Sequence, residues 1–453
     1  MGLPRIMIGG VSSGSGKTLV TCGILRAFLN RGYRVASFKC GPDYIDPMFH
    51  SEIIGAKSRN LDTFFCDGET VKYLFARTAK TADISVMEGV MGYYDGLKGT
   101  STHASSYELA KITDTPVILV LNCKGMSLSV IPVIKGFLEY KKDSGIVGVI
   151  LNQMPQKLYA GMKEAVEEEL PVKVLGYVPF IRDMVIESRH LGLVTPEKVD
   201  NLQGKLDELA KVFEETLELD EIWSIATGAK ELGYQKPEIP RVEGNPVIAV
   251  AKDEAFCFYY QDNLELLKDM GATLVEFSPL HDQELPVGIH GLILGGGYPE
   301  LAAEQLSGNK SMIRSMKEKL LAGLPCIAEC GGFMYLHETM EDMEKKRYPM
   351  VGAIAGEVYK TDRLNRFGYI TLVSNTDQML AAEGERIGAH EFHYFDSTSC
   401  GDSFTARKPL RDIQWKCIHG NGRLAAGFPH LYYYSNPRIP YGFLGSCLQY
   451  ATR

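Results

Sequence analysis

The chain has no pair of cysteines in CxxC spacing, no excess of positive charge, no apolar run of membrane-spanning length and no internal repeat. Each absence removes a class of protein. Its ten cysteines are scattered, so a zinc ribbon or a dithiol redox site gets no support, and reduced, mostly buried thiols are expected. With 48 basic against 56 acidic residues the formal charge is −8, the wrong sign for a nucleic-acid-binding surface. A local basic pocket for an acidic ligand remains compatible with that sum. Nothing in the sequence reads as a transmembrane helix. The passage from Met1 straight into an apolar strand and a glycine loop lacks a signal-peptide pattern, so a cytoplasmic location is expected.

What is present is ordinary globular composition at a length that one core does not fill. The 453 residues, 45% hydrophobic and 23% charged, suggest two domains. In the first half, short apolar runs alternate with amphipathic stretches. Strands are expected at Arg5–Ile8, Arg34–Phe38, Ile84–Met87, Val117–Leu121 and Val147–Leu151, with a helix over Lys17–Asn30. This is the βαβ rhythm of a parallel sheet covered on both faces. Residues 218–245 carry mixed polarity and two prolines that disfavour helix, and are expected to be a linker. A second alternation follows: strands Val247–Ala251, Thr273–Phe277, Gly291–Leu294 and Cys326–Ala328, and helices Gln261–Met270 and Lys310–Ala322. The expectation is two α/β domains, 1–217 and 246–453.

Between the first strand and the first helix lies Gly10-Val11-Ser12-Ser13-Gly14-Ser15-Gly16-Lys17-Thr18. Small residues there let backbone N–H groups close around phosphate oxygens, and the helix N-terminus adds partial positive charge. Lys17 would reach the terminal phosphates of ATP, and Thr18 would hold Mg²⁺ through its hydroxyl. The loop is a variant, because Gly10 stands six positions before Gly16 and position 11 is Val. Mg²⁺ needs hard oxygen ligands. Carboxylates follow two of the expected strands, in Lys39-Cys40-Gly41-Pro42-Asp43-Tyr44-Ile45-Asp46-Pro47 and in the loop Glu88–Asp95. The carboxyl ends of strands are where open α/β sheets bind ligands.

The second half offers a nucleophile. In Ala328-Glu329-Cys330-Gly331-Gly332 a strand ends in a cysteine flanked by small residues, with a helix expected after it. This is the logic of a nucleophile elbow, and a helix N-terminus would lower the thiol pKa. Cys326, inside the strand, reads as packing. Backbone N–H groups of Gly295, Gly296, Gly297 and Gly331 are candidate oxyanion donors. A cysteine nucleophile needs a base, and His281, His290, His337, His390, His393, His419 and His430 are all available. His430 stands out only because Gly427-Phe428-Pro429-His430 closes a strand-like run.

Taken together, these segments carry a resemblance. Gly295–Glu300, Ala328–Leu336 and Gly427–His430 resemble the class I glutamine amidotransferase domain of the corrinoid amide synthetases. The glycine loop, Lys39–Pro47 and Glu88–Gly96 resemble the dethiobiotin-synthetase-like ATPase domain of the same enzymes. The resemblance spans almost the whole chain and keeps domain order. It implies a P-loop NTPase-like parallel-sheet domain followed by a class I glutamine amidotransferase-like α/β domain. It also implies a reaction: ATP phosphorylates the a and c acetates of cobyrinic acid, and ammonia from glutamine displaces the phosphate. Cys330 becomes the glutaminase nucleophile and His430 its activator. Thr18, Asp43 and Glu88 become Mg²⁺ ligands. Gly10, Ser13, Gly14, Ser15, Gly16, Lys17 and Thr18 bind nucleotide, and Tyr44, Ile45, Asp46 and Asp95 lie near the tetrapyrrole acetate and the acyl phosphate. Amidation of nickel-sirohydrochlorin, in the biosynthesis of coenzyme F430, is the alternative with the same chemistry. A P-loop switch ATPase with a non-catalytic cysteine domain is the alternative from another class. The wider amidotransferase family has Glu two residues after the histidine to orient it, whereas position 432 here is Tyr. A homodimer is compatible with the sequence.

Overall fold

Strands form where apolar runs can be covered on both faces, and Arg5–Gly10 (β1) shows this directly: all six of its residues are buried. The structure, a computed structural model, describes residues 2–181 and 196–452. It divides into two compact units, Met1–Pro237 and Glu238–Arg453.

In the first unit β1 is followed by β2 (Val35–Cys40), β3 (Lys57–Leu61), β4 (Ile84–Glu88), β5 (Val117–Asn122), β6 (Ile146–Asn152) and β7 (Lys173–Val178). They make one parallel sheet in the order β3-β2-β4-β1-β5-β6-β7. The five expected strands lie inside it. The two not expected, β3 and β7, are its edges. There Lys57, Arg59 and Lys173 interrupt the apolar run that marks a central strand. The chain leaves β1 toward β2 on one side, then passes from β4 back across β1 to β5 on the other. The carboxyl ends of β1 and β4 therefore open at a topological switch point.

Helix Lys17–Asn30 packs on the sheet through Val20, Ile24, Leu25 and Phe28. It meets helix Pro196–Thr216 where Gly23 faces Phe213; a Cβ at position 23 would lie 2.3 Å from the ring. Within the stretch expected as a linker, Leu219–Thr227 is helical. Its Leu219, Ile222 and Ala226 enter the core of the first unit. The prolines that suggested a linker begin only at Pro237.

The second unit has a six-stranded sheet built on β8 (Val247–Ala251), β9 (Thr273–Phe277), β10 (Gly291–Leu294) and β11 (Cys326–Glu329). Leu424–Gly427 pairs in parallel with β11, and His419–Gly420 closes that edge. A four-stranded and a five-stranded sheet occupy much of the chain between β11 and His430. In the larger one Arg386–His393 pairs antiparallel with His430–Leu431, placing His390 opposite His430. Apart from the strand-like run closed by Gly427–His430, none of these strands was expected from the sequence. Among the described residues no helix is long and apolar enough to cross a membrane.

Candidate active sites

In the first unit the glycine loop turns from β1 into helix Lys17–Asn30. Gly16, with φ 97°, makes the left-handed turn that starts the helix. Asn152, at the end of β6, packs so close that a Cβ at position 16 would lie 2.1 Å from its Nδ2. That Nδ2 donates to the Ser15 carbonyl at 2.9 Å. Ser15 is buried and its hydroxyl donates to the Ser12 carbonyl at 2.9 Å, while Ser13 and Gly14 are exposed at the tip. Lys17 Nζ donates to the carbonyls of Ser12 (3.1 Å) and Met91 (2.5 Å), across the mouth of the loop. Burial, and then the charge of Lys39, hold its pKa below the ordinary lysine range.

The metal-binding candidates converge unequally. Thr18 Oγ1 donates to Glu88 Oε1 at 2.7 Å. Glu88 is fully buried at the end of β4, and burial lifts its carboxyl although Lys39 opposes this. Asp43 accepts from the Ile45 N–H at 2.8 Å, and Asn60 ties its carbonyl down at 2.7 Å. Burial, followed by the charge of Asp46, also raises Asp43. Asp95 accepts from Gly92 N at 2.8 Å and lies within electrostatic range of Lys17.

Lys39, a residue of the Lys39–Pro47 segment to which its sequence pattern assigns no role, is the hub of this site. Its Nζ donates to Glu88 Oε1 at 2.7 Å and to Asp46. Burial alone would lower the Lys39 pKa, but Glu88, Asp46 and Asp43 raise it instead. Asp46, expected near the substrate acetate, is therefore engaged in an ion pair, and Tyr44 is largely buried. Ile45 is part-buried and packs against the core. Behind Glu88 sits His50, whose Nε2 is 3.5 Å from Oε2 and whose Nδ1 is 2.7 Å from Ser37 Oγ. Burial lowers its pKa to about 4, so it is neutral.

In the second unit β11 ends at Glu329, and Cys330 takes φ 46° and ψ −103° before helix Gly331–Tyr335. A non-glycine residue there is strained, and the turn is the expected elbow. Gly331 packs on the glycine loop; a Cβ on it would lie 3.2 Å from Gly297 N. A Cβ on Gly296 would lie 2.5 Å from His430 Cε1, so loop, elbow and His430 meet. Two expectations need correction. Gly295 N donates to Tyr259 Oη at 2.9 Å and is not an oxyanion donor, which leaves Gly296, Gly297 and Gly331. The Cys330 thiol is pushed up, not down. Burial raises it most, then Glu300, with Glu391 and Glu329 adding to this, and only the Gly331 N–H opposes them. A five-residue helix brings too little dipole to reverse this.

His430 is 2% exposed, and burial followed by His390 and His393 lowers its pKa to about 3. The resting state is thus a neutral thiol and a neutral imidazole. Glu329, the residue before the nucleophile, brings Oε2 to 3.8 Å from His430 Nδ1. Burial lifts Glu329 to about 8, against the Leu431 N–H, which lowers it. The other histidines have other surroundings. His337, for example, is held between the Phe333 carbonyl and Ser397 Oγ.

Comparison with known proteins gives the same two-part layout. Residues 6–193 match the CobQ/CobB/MinD/ParA nucleotide binding domain, and residues 247–431 match the CobB/CobQ-like glutamine amidotransferase domain. A cobyrinate a,c-diamide synthase of Caldanaerobacter subterraneus subsp. tengcongensis is 40% identical, with 99% of each chain covered. One from Listeria innocua is 39% identical, covering 96% of this chain and 97% of its own. One from Priestia megaterium is 36% identical, covering 98% of this chain and 97% of its own.

Proposed function

The chain belongs to the family of cobyrinate a,c-diamide synthases, glutamine-hydrolysing carbon–nitrogen ligases, and we propose that it converts the a and c acetate carboxylates of cobyrinic acid into amides. In the first unit, ATP phosphorylates the carboxylate, releasing ADP and leaving an acyl phosphate. In the second, Cys330 gives its proton to His430 and attacks the side-chain amide of glutamine. His430 returns the proton to the departing ammonia, and water hydrolyses the thioester to glutamate. Ammonia then displaces phosphate from the activated carboxylate. A carboxylate is a poor electrophile at neutral pH, and phosphorylation removes that obstacle.

The observation that carries the ATP half is the Thr18–Glu88 contact of 2.7 Å beside Lys17 and Lys39. It supplies a hydroxyl and a carboxylate for a divalent ion, and two ammonium groups for phosphate oxygens. Among the described residues no three His, Cys, Asp or Glu side chains form a metal site by themselves. That suits Mg²⁺, which keeps waters and takes phosphate oxygens as ligands. Thr18 and Glu88 would hold it, with Asp43 nearby, and the ion would neutralise phosphate charge.

The test is incubation with Mg-ATP, glutamine and either cobyrinic acid or nickel-sirohydrochlorin, followed by mass spectrometry. Two successive carboxyl-to-amide mass changes on cobyrinic acid and none on the nickel macrocycle are expected. The reverse pattern assigns the nickel substrate. ATP hydrolysis with no glutamate release, with either macrocycle, would overturn the ligase reading.

A further inference from the structure

The amidotransferase pattern places a carboxylate two residues after the histidine, and here that position is Tyr432. Its hydroxyl is directed at Asp262 Oδ2 (3.5 Å) and its ring packs edge-on against Tyr260. That position therefore brings no carboxylate to His430. A histidine that must take a proton at Nε2 needs its Nδ1 proton held in place, because the other tautomer presents N–H to the thiol and cannot act as a base.

We propose that Glu329 fills this role from the end of β11, as the positioning residue that fixes the tautomer and orientation of His430. The proposal rests on the reading of Cys330 and His430 as a glutaminase pair. Three observations carry it. Glu329 Oε2 stands 3.8 Å from His430 Nδ1, with side chains 12% and 3% exposed. The chain leading into His430 is held against β11: Glu329 pairs with Gly427, three residues before the histidine, and Cys330 N donates to the Gly427 carbonyl at 2.8 Å. The Glu329 carboxyl also accepts from the N–H of Leu431, the residue next to the histidine. It is thus anchored along the same short strand it has to orient.

The remaining surroundings of Glu329 include Phe258, Tyr259, Ile293, Gly295 and Tyr433, which line a small cavity beside it and carry no charged side chain. Burial keeps the Glu329 carboxyl largely protonated at rest, and the imidazolium that His430 becomes on taking the Cys330 proton favours its charged form beside Nδ1. The gap of 3.8 Å is longer than a hydrogen bond, as is common for catalytic contacts before substrate is bound. The residue that positions the base is thereby adjacent in sequence to the nucleophile, so one strand end supplies both.

The test is the isosteric Glu329→Gln in the full chain, assayed for glutamate release, for amidation with added ammonium salt, and for thermal unfolding. The expected result is a fall in glutaminase kcat of about a hundredfold or more, by analogy with other triad orienting groups. KM for glutamine, ammonia-supported amidation and Tm should stay near wild type. A kcat within threefold of wild type overturns the proposal. So does a loss seen only in KM, or one shared equally by the ammonia-supported reaction. If Glu329→Gln does not fold, Glu329→Asp decides. Its shorter carboxylate should keep at least a tenth of the kcat, and complete inactivity in a folded protein would overturn the assignment. Cys330→Ser separates the two levels: if it still releases glutamate, the glutaminase reading itself fails, and the role of Glu329 with it.

Discussion

At the scale of single residues the sequence located candidate groups better than it indicated their state. Cys330 was legible as a candidate because a strand ending in a cysteine before a Gly-Gly pair fits the nucleophile-elbow pattern. Its ionisation was not legible, because the carboxylates of Glu300 and Glu391 that act on it lie 30 and more positions away in the chain. Lys39 escaped notice for the same reason: its partner Glu88 is 49 residues distant. A thiol raised above its ordinary value reacts through a small thiolate fraction. Alkylation of Cys330 by iodoacetamide, followed by peptide mapping, should therefore be slow at pH 7. It should quicken about tenfold per pH unit up to at least pH 9, since only the thiolate reacts. Fast, pH-independent labelling below pH 8 would contradict the raised thiol.

At the scale of elements, the buried parallel strands were found almost to the residue, because continuous apolar runs bounded by glycine have few alternatives. Expected Arg5–Ile8 is observed as Arg5–Gly10, and Val247–Ala251 is observed as expected. The antiparallel strands between β11 and His430 were missed because their burial alternates. Arg386–His393, for instance, mixes buried Ile387 and Ala389 with exposed Phe392. That hid the element that pairs with the histidine strand, and so the choice among histidines needed the resemblance. The glycine loop after β10 was legible as a loop, but its contact with His430 was not. Gly296→Ala should drive a Cβ to 2.5 Å from His430 Cε1 and displace the ring. Misplacement of about 1 Å costs about a hundredfold in rate. Glutamate release should fall by that order while ammonia-supported amidation is unchanged; loss of both would point to misfolding instead.

At the scale of the whole molecule, stability should carry the imprint of its buried acids. Burial lifts Glu300 to about 7, Glu329 to about 8 and Glu391 to about 7, all above an ordinary carboxyl near 4.5. A carboxyl with a raised folded pKa binds more protons when folded, so stability falls as pH climbs from the unfolded to the folded value. The buried histidines act in the opposite sense. His50 and His393 at about 4, and His390 and His430 at about 3, favour stability as pH rises, but only up to their unfolded value near 6.5. Below pH 6.5 the two groups offset each other. Between pH 6.5 and 8 only the acids act, so Tm should decline across that window, by roughly 2–4 °C for each 1 kcal/mol lost. A Tm that is flat or rising there, measured by calorimetry, would contradict the raised carboxyls. The left-handed backbone at Cys330 has a consequence on a longer timescale. Glycine relieves such a conformation but has no thiol, so with Cys330 as the proposed nucleophile the change that most steadies this turn is also the one that would end glutamine use. Selection for activity holds a locally disfavoured residue in place. In a lineage living on free ammonia, position 330 would be among the first to drift, and it would drift toward a sturdier protein.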